Sequence, residues 1–229
     1  MKWTRLLLLV LIFSPAVLAD SLFQSLAKAA PDANPQALKL AVDAMQCAEA
    51  SGLEPSEKLA VIDYSRPSAE RRLWVFDLAS KTLLYRERVA HGKNSGGNMA
   101  QFFSNEPGSL ASSLGLFRTL ETYQGKHGYS LRMDGLEPGF NDNAYERDIV
   151  MHAASYVSDD MVKRQGRIGR SWGCPALASG VARRVIDALK GGQFVFSYYP
   201  SEHWLASSQF LHCKQHSLSM NLKNSSDVL

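Results

Sequence analysis

The chain has little of what marks several large classes of protein. Its 229 residues contain three cysteines, no internal repeat, no heptad pattern and, beyond the first segment, no apolar run that could span a membrane. The compact zinc motifs H-E-x-x-H and C-x-x-C are also missing. These absences argue against coiled coils, solenoids, multi-span membrane proteins and the common zinc folds.

The chain also lacks a large net charge of either sign. The formal net charge is +3, and it falls to +1 when the two cations of the first segment, Lys2 and Arg5, are left out. Proteins that bind nucleic acid usually present a strongly basic surface. We therefore expect no nucleic-acid partner.

The first 19 residues have the three-part pattern of a secretory signal peptide. Lys2 and Arg5 form a basic start, residues 6–13 an apolar core, and residues 17–19 a small-residue cleavage site. The alternative is a membrane anchor, but the core is shorter than the roughly 20 residues that a spanning helix needs. We expect export across the inner membrane to the periplasm, with no stable membrane insertion.

The remaining apolar pattern predicts a mainly β protein with a few helices (α+β). Residues 20–32 are small and polar and predict a flexible lead, whereas Asn34 and Pro35 begin an N-terminal helix that stops at Gly52. Strands are predicted at 59–64, 72–78, 82–92, 115–123, 129–136 and 193–199, and further helices at 141–146 and 179–190. Many short strands favour a β-sandwich or a β-barrel over a βαβ sheet.

One stretch, residues 148–177, offers a histidine and a cysteine to one another. The apolar run 149–151 predicts a buried strand that ends at His152, and a basic, glycine-rich connection leads from there to Cys174. A nucleophilic thiol needs a neighbouring base, and imidazole is suited to that task near neutral pH. Gly173 allows a tight turn in which backbone N–H groups converge on an oxyanion. The competing interpretation of Cys174 is a small buried apolar side chain.

The order of His152, a Gly/Arg-rich loop and Ser171-Trp172-Gly173-Cys174 resembles the signature of the L,D-transpeptidases, the YkuD-like murein enzymes. The resemblance extends from about residue 59 to residue 199. It implies the β-sandwich of that family, here preceded by the N-terminal helix. Trp172 stands where better-known members carry His, and Pro175 where they often carry Arg or Asn.

The resemblance also implies a reaction. His152 deprotonates Cys174, the thiolate forms a thioester with a peptidoglycan stem peptide, and backbone N–H groups around Gly173 and Cys174 hold the oxyanion. An amine of a second stem then resolves the thioester, whereas water in its place gives L,D-carboxypeptidase activity. The carbonyl of Ala153 is expected to orient the imidazole. No cofactor is required.

Four residues of the loop are expected at the substrate. Arg167 and Arg170 either bind a stem carboxylate through their planar guanidinium groups or pair with a nearby acid. Trp172 is either a wall of the donor groove or a plug in the core, and Ser171 is assigned to the same groove.

Two other functions stay open at this point. A zinc-dependent peptidoglycan or peptide hydrolase would need His91, His127 and His152 on one metal ion, because imidazole is a preferred zinc ligand. A catalytically inactive wall-binding module is the second, suggested by Trp172 and Pro175. Our main interpretation includes no metal site.

The chain divides into a signal peptide (1–19), an N-terminal lead and helix (20–56), an L,D-transpeptidase-like catalytic domain (57–213) and a polar C-terminal tail (214–229). Three cysteines in an oxidising compartment leave one unpaired. If Cys174 stays a thiol, the available disulfide joins Cys47 to Cys213. Two separate buried thiols are the alternative.

Overall fold

The computed structural model describes residues 15–213, with side chains from residue 22 onward. The predicted tail at 214–229 and most of the predicted signal peptide lie outside the described residues. Among those described, no helix is long and apolar enough to cross a membrane. The elements in chain order are α1 (Pro15–Ala29), α2 (Pro35–Ala50), β1 (Lys58–Asp63), β2 (Leu73–Asp77), β3 (Thr82–Glu87), β4 (Val89–Ala90), β5 (Gly115–Gly125), β6 (Gly128–Gly135), β7 (Val150–Ala154), α3 (Asp159–Gln165), β8 (Ala176–Ala178), α4 (Ser179–Leu189), β9 (Phe194–Tyr198) and α5 (Glu202–Ser207).

The strands form one sheet that curls until it is nearly closed. Its order is β3-β2-β1-β9-β5-β6-β7-β8-β4, so β3 and β4 occupy opposite edges. Only Arg88 separates these two strands in the chain, and the two edges must therefore lie close together. The strand predicted over 82–92 is thus two strands, and the predicted mainly β architecture with a few helices is confirmed.

The N-terminal helix forms as predicted. Asn34 caps α2, since its Oδ1 accepts a hydrogen bond of 3.0 Å from the backbone N–H of Gln36. The flexible lead predicted at 20–32 is wrong, because most of it belongs to α1. Leu26 and Ala30 fall on one side of that segment and are buried in the core beside α2. Their helical spacing is the signal that the polar composition obscured.

The helix predicted at 141–146 is also absent, and turns replace it. Asn141 is buried, and its side-chain Oδ1 accepts from the N–H of Glu137 at 2.7 Å while its Nδ2 donates to the carbonyl of Leu116 at 3.0 Å. Such side-chain bonds to the backbone compete with helix formation.

A disulfide joins Cys47 of α2 to Cys213, with their Cα atoms 5.6 Å apart, and Cys174 is a free thiol. The predicted pairing is confirmed. The bond fastens the N-terminal helix to the end of the described chain.

Candidate active site

Two neighbouring parallel strands bring His152 and Cys174 together. His152 of β7 pairs in register with Ala176 of β8, and Cys174 lies just before β8. The backbone N–H of Val150 donates to the Cys174 Sγ at 3.4 Å. Because side chains alternate along a strand, those of Val150 and His152 share a face. The cysteine therefore sits beside the strand that carries the histidine.

The orientation of His152 suits a general base. Its side chain is buried, and Nδ1–H donates to the carbonyl of Ala153 at 2.9 Å, which is the contact predicted from the sequence. Nε2 is then the nitrogen left to accept a proton. Burial lowers the pKa of His152, and His127 lowers it further, against the opposing effect of the Ala153 carbonyl. The imidazole is therefore neutral near pH 7.

Cys174 is half-buried as a residue, and its thiol is neutral at rest. Burial of the sulfur raises the pKa of Cys174, while the Val150 N–H and the charge of Arg147 lower it in part. A raised thiol pKa and a lowered imidazole pKa both oppose a standing thiolate–imidazolium pair. At rest, therefore, the thiol keeps its proton and the imidazole is neutral.

Gly173 shapes the turn before Cys174. Its φ of 127° favours glycine, and a Cβ there would lie 2.9 Å from the Ala111 carbonyl oxygen and from Ile149 Cδ1. Its N–H donates to the Ser171 Oγ at 3.1 Å. The Gly173 N–H is therefore not directed at an oxyanion, and the N–H of Cys174 is the group at this turn that lies beside the sulfur.

Ser171 makes its hydrogen bonds within the protein, and its assignment to the substrate groove stays a prediction. The residue is buried, and its Oγ donates to the carbonyl of Cys174 at 2.6 Å. Its backbone N–H donates to the carbonyl of His91 at 2.9 Å, and its carbonyl accepts from the N–H of Lys93 at 2.8 Å. The hydroxyl and both backbone groups of Ser171 hold the turn of residues 171–174, the nucleophile turn, in shape.

The two loop arginines bind backbone carbonyls. Arg167 Nη1 donates to the carbonyl of Ile168 at 2.9 Å, and Arg170 Nη1 donates to those of Lys93 and Gly96 at 3.0 and 2.9 Å. Within residues 22–213 neither arginine has an acidic partner. Arg170 thus fixes the loop after β4. The proposed contact of these arginines with a stem carboxylate stays a prediction.

Trp172 points away from the core. Its side chain is 66% exposed, which excludes the core-plug interpretation and leaves the groove-wall interpretation. The Nζ atoms of Lys93 and Lys126 lie 5.6 and 5.5 Å from its ring centroid.

Comparison with known families agrees with this geometry. The model of the YkuD_2 L,D-transpeptidase catalytic domain matches residues 29–198. The chain belongs to this family. No curated protein matches the chain.

Two solved structures are similar to this chain at low sequence identity. An L,D-transpeptidase from Mycobacterium smegmatis is 16% identical with a TM-score of 0.40, and the match covers 63% of this chain and 60% of that one. An L,D-transpeptidase from Stackebrandtia nassauensis is 15% identical with a TM-score of 0.38, covering 80% and 92%. The chain thus spans about 60% of the mycobacterial structure's length.

Sequence reasoning missed Arg147 of this L,D-transpeptidase domain. Its Nη2 donates to the carbonyl of Ala111 at 2.7 Å, and its Nη1 to that of Ser104 at 2.8 Å. It also lies close enough to Cys174 for its charge to lower the pKa of the thiol. No motif marks this arginine in the sequence, because its neighbours come from a segment more than thirty positions away.

The three histidines of the zinc alternative do not form a ligand group. The Nδ1 of His91 lies 2.7 Å from Nη2 of the buried Arg72 and accepts its hydrogen bond. Burial and the Arg72 charge lower the pKa of His91 to about 4. In the described part of the chain, no three His, Cys, Asp or Glu residues are placed to hold a metal ion. His91 is instead a buried histidine in the loop after β4, and its imidazole is hydrogen-bonded to Arg72.

Proposed function

We propose that this chain is an exported peptidoglycan L,D-transpeptidase that acts through a thioester on Cys174. One observation carries the proposal. In a domain of this family, the Cys174 thiol lies beside β7, and the buried His152 on that strand has its Nδ1 fixed by the Ala153 carbonyl. A positioned imidazole next to a thiol is the arrangement that nucleophilic catalysis by cysteine needs.

The first half-reaction acylates the enzyme. Nε2 of His152 takes the thiol proton as Sγ bonds to a stem-peptide carbonyl carbon, and the carbonyl oxygen becomes an oxyanion. The oxyanion then re-forms the carbonyl and the C–N bond to the terminal D-amino acid breaks. Protonated His152 gives its proton to the departing amine, leaving a thioester on Cys174.

The second half-reaction releases the enzyme. The amine of another stem attacks the thioester carbonyl, and neutral His152 takes a proton from that amine. The C–S bond breaks, the sulfur regains a proton, and a new amide links the two stems. Water in place of the amine gives a free acid, which is L,D-carboxypeptidase activity.

Two features support export. The pattern of the first 19 residues is that of a secretory signal peptide. The disulfide between Cys47 and Cys213 is a bond that forms and persists in an oxidising compartment such as the periplasm.

Mass spectrometry of the purified mature protein with muropeptides tests the proposal. We expect an acyl adduct on the wild-type protein that is absent from Cys174→Ser, together with cross-linked or trimmed muropeptides. Binding of murein with neither adduct nor product would identify the inactive wall-binding module instead. Products that vanish with a chelator and persist in Cys174→Ser would identify a metal-dependent hydrolase.

A further inference from the structure

Trp172 lies open to solvent two residues before the nucleophile, with two lysines beside its ring. The Nζ atoms of Lys93 and Lys126 are 5.6 and 5.5 Å from the ring centroid. Within residues 22–213 neither ammonium group has an acidic partner. Two cations near one exposed aromatic ring therefore have no counter-charge from this part of the protein.

The backbone of Lys93 is held in place. Its N–H donates to the carbonyl of Ser171 at 2.8 Å, and its carbonyl accepts from Arg170 Nη1 at 3.0 Å. Arg170 thus serves to place Lys93 at the nucleophile turn.

Lys126 reaches the same place from another part of the fold. It shares the two-residue turn between β5 and β6 with His127, where Gly125 pairs with Gly128. The ring of His127 stacks on that of His152 with centroids 4.3 Å apart. The hairpin turn therefore extends over the catalytic histidine and brings its lysine to Trp172.

We propose that Lys93, Lys126 and Trp172 form the site that binds a carboxylate of the peptide donor. The identity of the donor rests on the proposed function. The two ammonium groups supply the positive charge, and the exposed indole covers the apolar part of the peptide next to that carboxylate. The guanidinium groups of Arg167 and Arg170 already donate hydrogen bonds to backbone carbonyls. Within residues 22–213 the ammonium groups of Lys93 and Lys126 do not.

Binding to Cys174→Ala, which cannot be acylated, tests this site by calorimetry. The ligands are a stem peptide with free carboxylates, the same peptide amidated, and a murein disaccharide without peptide. We expect the free peptide to bind more tightly than the amidated one and the disaccharide to bind weakly. Lys93→Gln and Lys126→Gln should each weaken binding of the free peptide about two- to fivefold, since exposed ion pairs contribute modestly.

The controls separate charge from shape. With Cys174→Ala present throughout, the amidated peptide should bind the Lys93→Gln and Lys126→Gln variants as tightly as it binds Cys174→Ala alone. Lys163 is an exposed lysine of α3, and Lys163→Gln should change the affinity for neither the free nor the amidated peptide. Trp172→Leu should weaken both peptides. High salt should reduce the preference for the free peptide, because it screens exposed charges.

Equal affinity for the free and amidated peptides, absence of peptide binding, or binding that the disaccharide alone reproduces would each overturn the proposal. The acyl adduct is measured separately on protein that retains Cys174. A carboxylate preference without an adduct leaves this site standing and defeats the proposed function. An adduct without the carboxylate preference supports the proposed function and overturns this site.

Discussion

The ring of His127 stacks on the ring of His152, with centroids 4.3 Å apart and planes 24° from parallel. His127 is exposed at the hairpin turn, whereas His152 is buried on the strand beside Cys174. Burial lowers the pKa of His152, and the electrostatic effect of His127 lowers it further. An exposed residue thus tunes the buried base.

Replacing His127 by Ala should raise the pKa of His152. The base must be neutral to accept the thiol proton, so the rate of acylation falls as pH drops through the pKa of His152. This acidic limb of the pH–rate profile lies below pH 6.5 in the wild type, because the pKa of His152 is lowered from that value. We expect it to move to higher pH in His127→Ala. The measurement is kcat/KM for acylation against pH, with His203→Ala as the control, and an unmoved limb would contradict the coupling.

Cys174→Ser and His152→Ala should each lower the acylation rate by about 100-fold or more, because each residue acts at the same chemical step. The double variant should lose little beyond either single one. Intact-protein mass spectrometry follows the adduct, and thermal unfolding confirms that the variants fold. Substantial turnover by either variant would disprove the dyad.

Arg147→Gln should slow the reaction of Cys174 with an alkylating agent at fixed pH, because the arginine charge lowers the pKa of the thiol. The variant should also unfold more easily by about 1–3 kcal/mol, since the Ala111 and Ser104 carbonyls lose their donor. Arg147→Lys should restore the thiol pKa better than the stability, because an ammonium lacks the planar fork. The exposed Arg184→Gln is the matched control. An alkylation profile that coincides with the wild type would refute the electrostatic role.

His91 should make folding stability depend on pH. In the folded chain the pKa of His91 is lowered from 6.5 to about 4. The contribution of His91 to the free energy of unfolding is therefore complete above pH 6.5. It is lost as the pH falls toward 4, because the unfolded chain takes up a proton before the folded chain does. The difference between these two pKa values corresponds to about 3 kcal/mol of the free energy of unfolding. Urea unfolding at pH 7 and pH 4.5 should show a smaller loss for His91→Gln than for the wild type. Parallel losses in the two proteins would rule this out.

Removing the disulfide with Cys47→Ser should destabilise the fold by about 2–5 kcal/mol, because the bond closes a loop with a sequence separation of 166. Cys174→Ser serves as the control and should change stability little. Non-reducing peptide mapping of active protein should find Cys47 joined to Cys213. A disulfide that contains Cys174 would be the contrary result.

Local spacing predicted much of the fold. The runs that became β1, β2, β5, β6 and β9, the cap at Asn34 and the helix at α4 each depend on neighbours within a few positions. The missed α1 had a local signal in its helical spacing, but the helix predicted at 141–146 failed for a different reason. Asn141, its first residue, binds the carbonyl of Leu116, which is 25 positions away. A one-dimensional pattern does not contain that partner.

The sequence alone determined the mainly β class and the candidate nucleophile and base, Cys174 and His152, because strand period and motif order are properties of the linear chain. It offered the Cys47–Cys213 pairing only on the condition that Cys174 stays a thiol, and the structure decided that pairing. Only the tertiary structure decided what surrounds Cys174 and His152. It turned Ser171 and Arg170 toward the backbone and brought Lys93, Lys126, His127 and Arg147 to the site from separate segments. The site is built where β6 pairs with β7, β7 with β8 and β8 with β4, and such pairing joins positions that no local spacing relates.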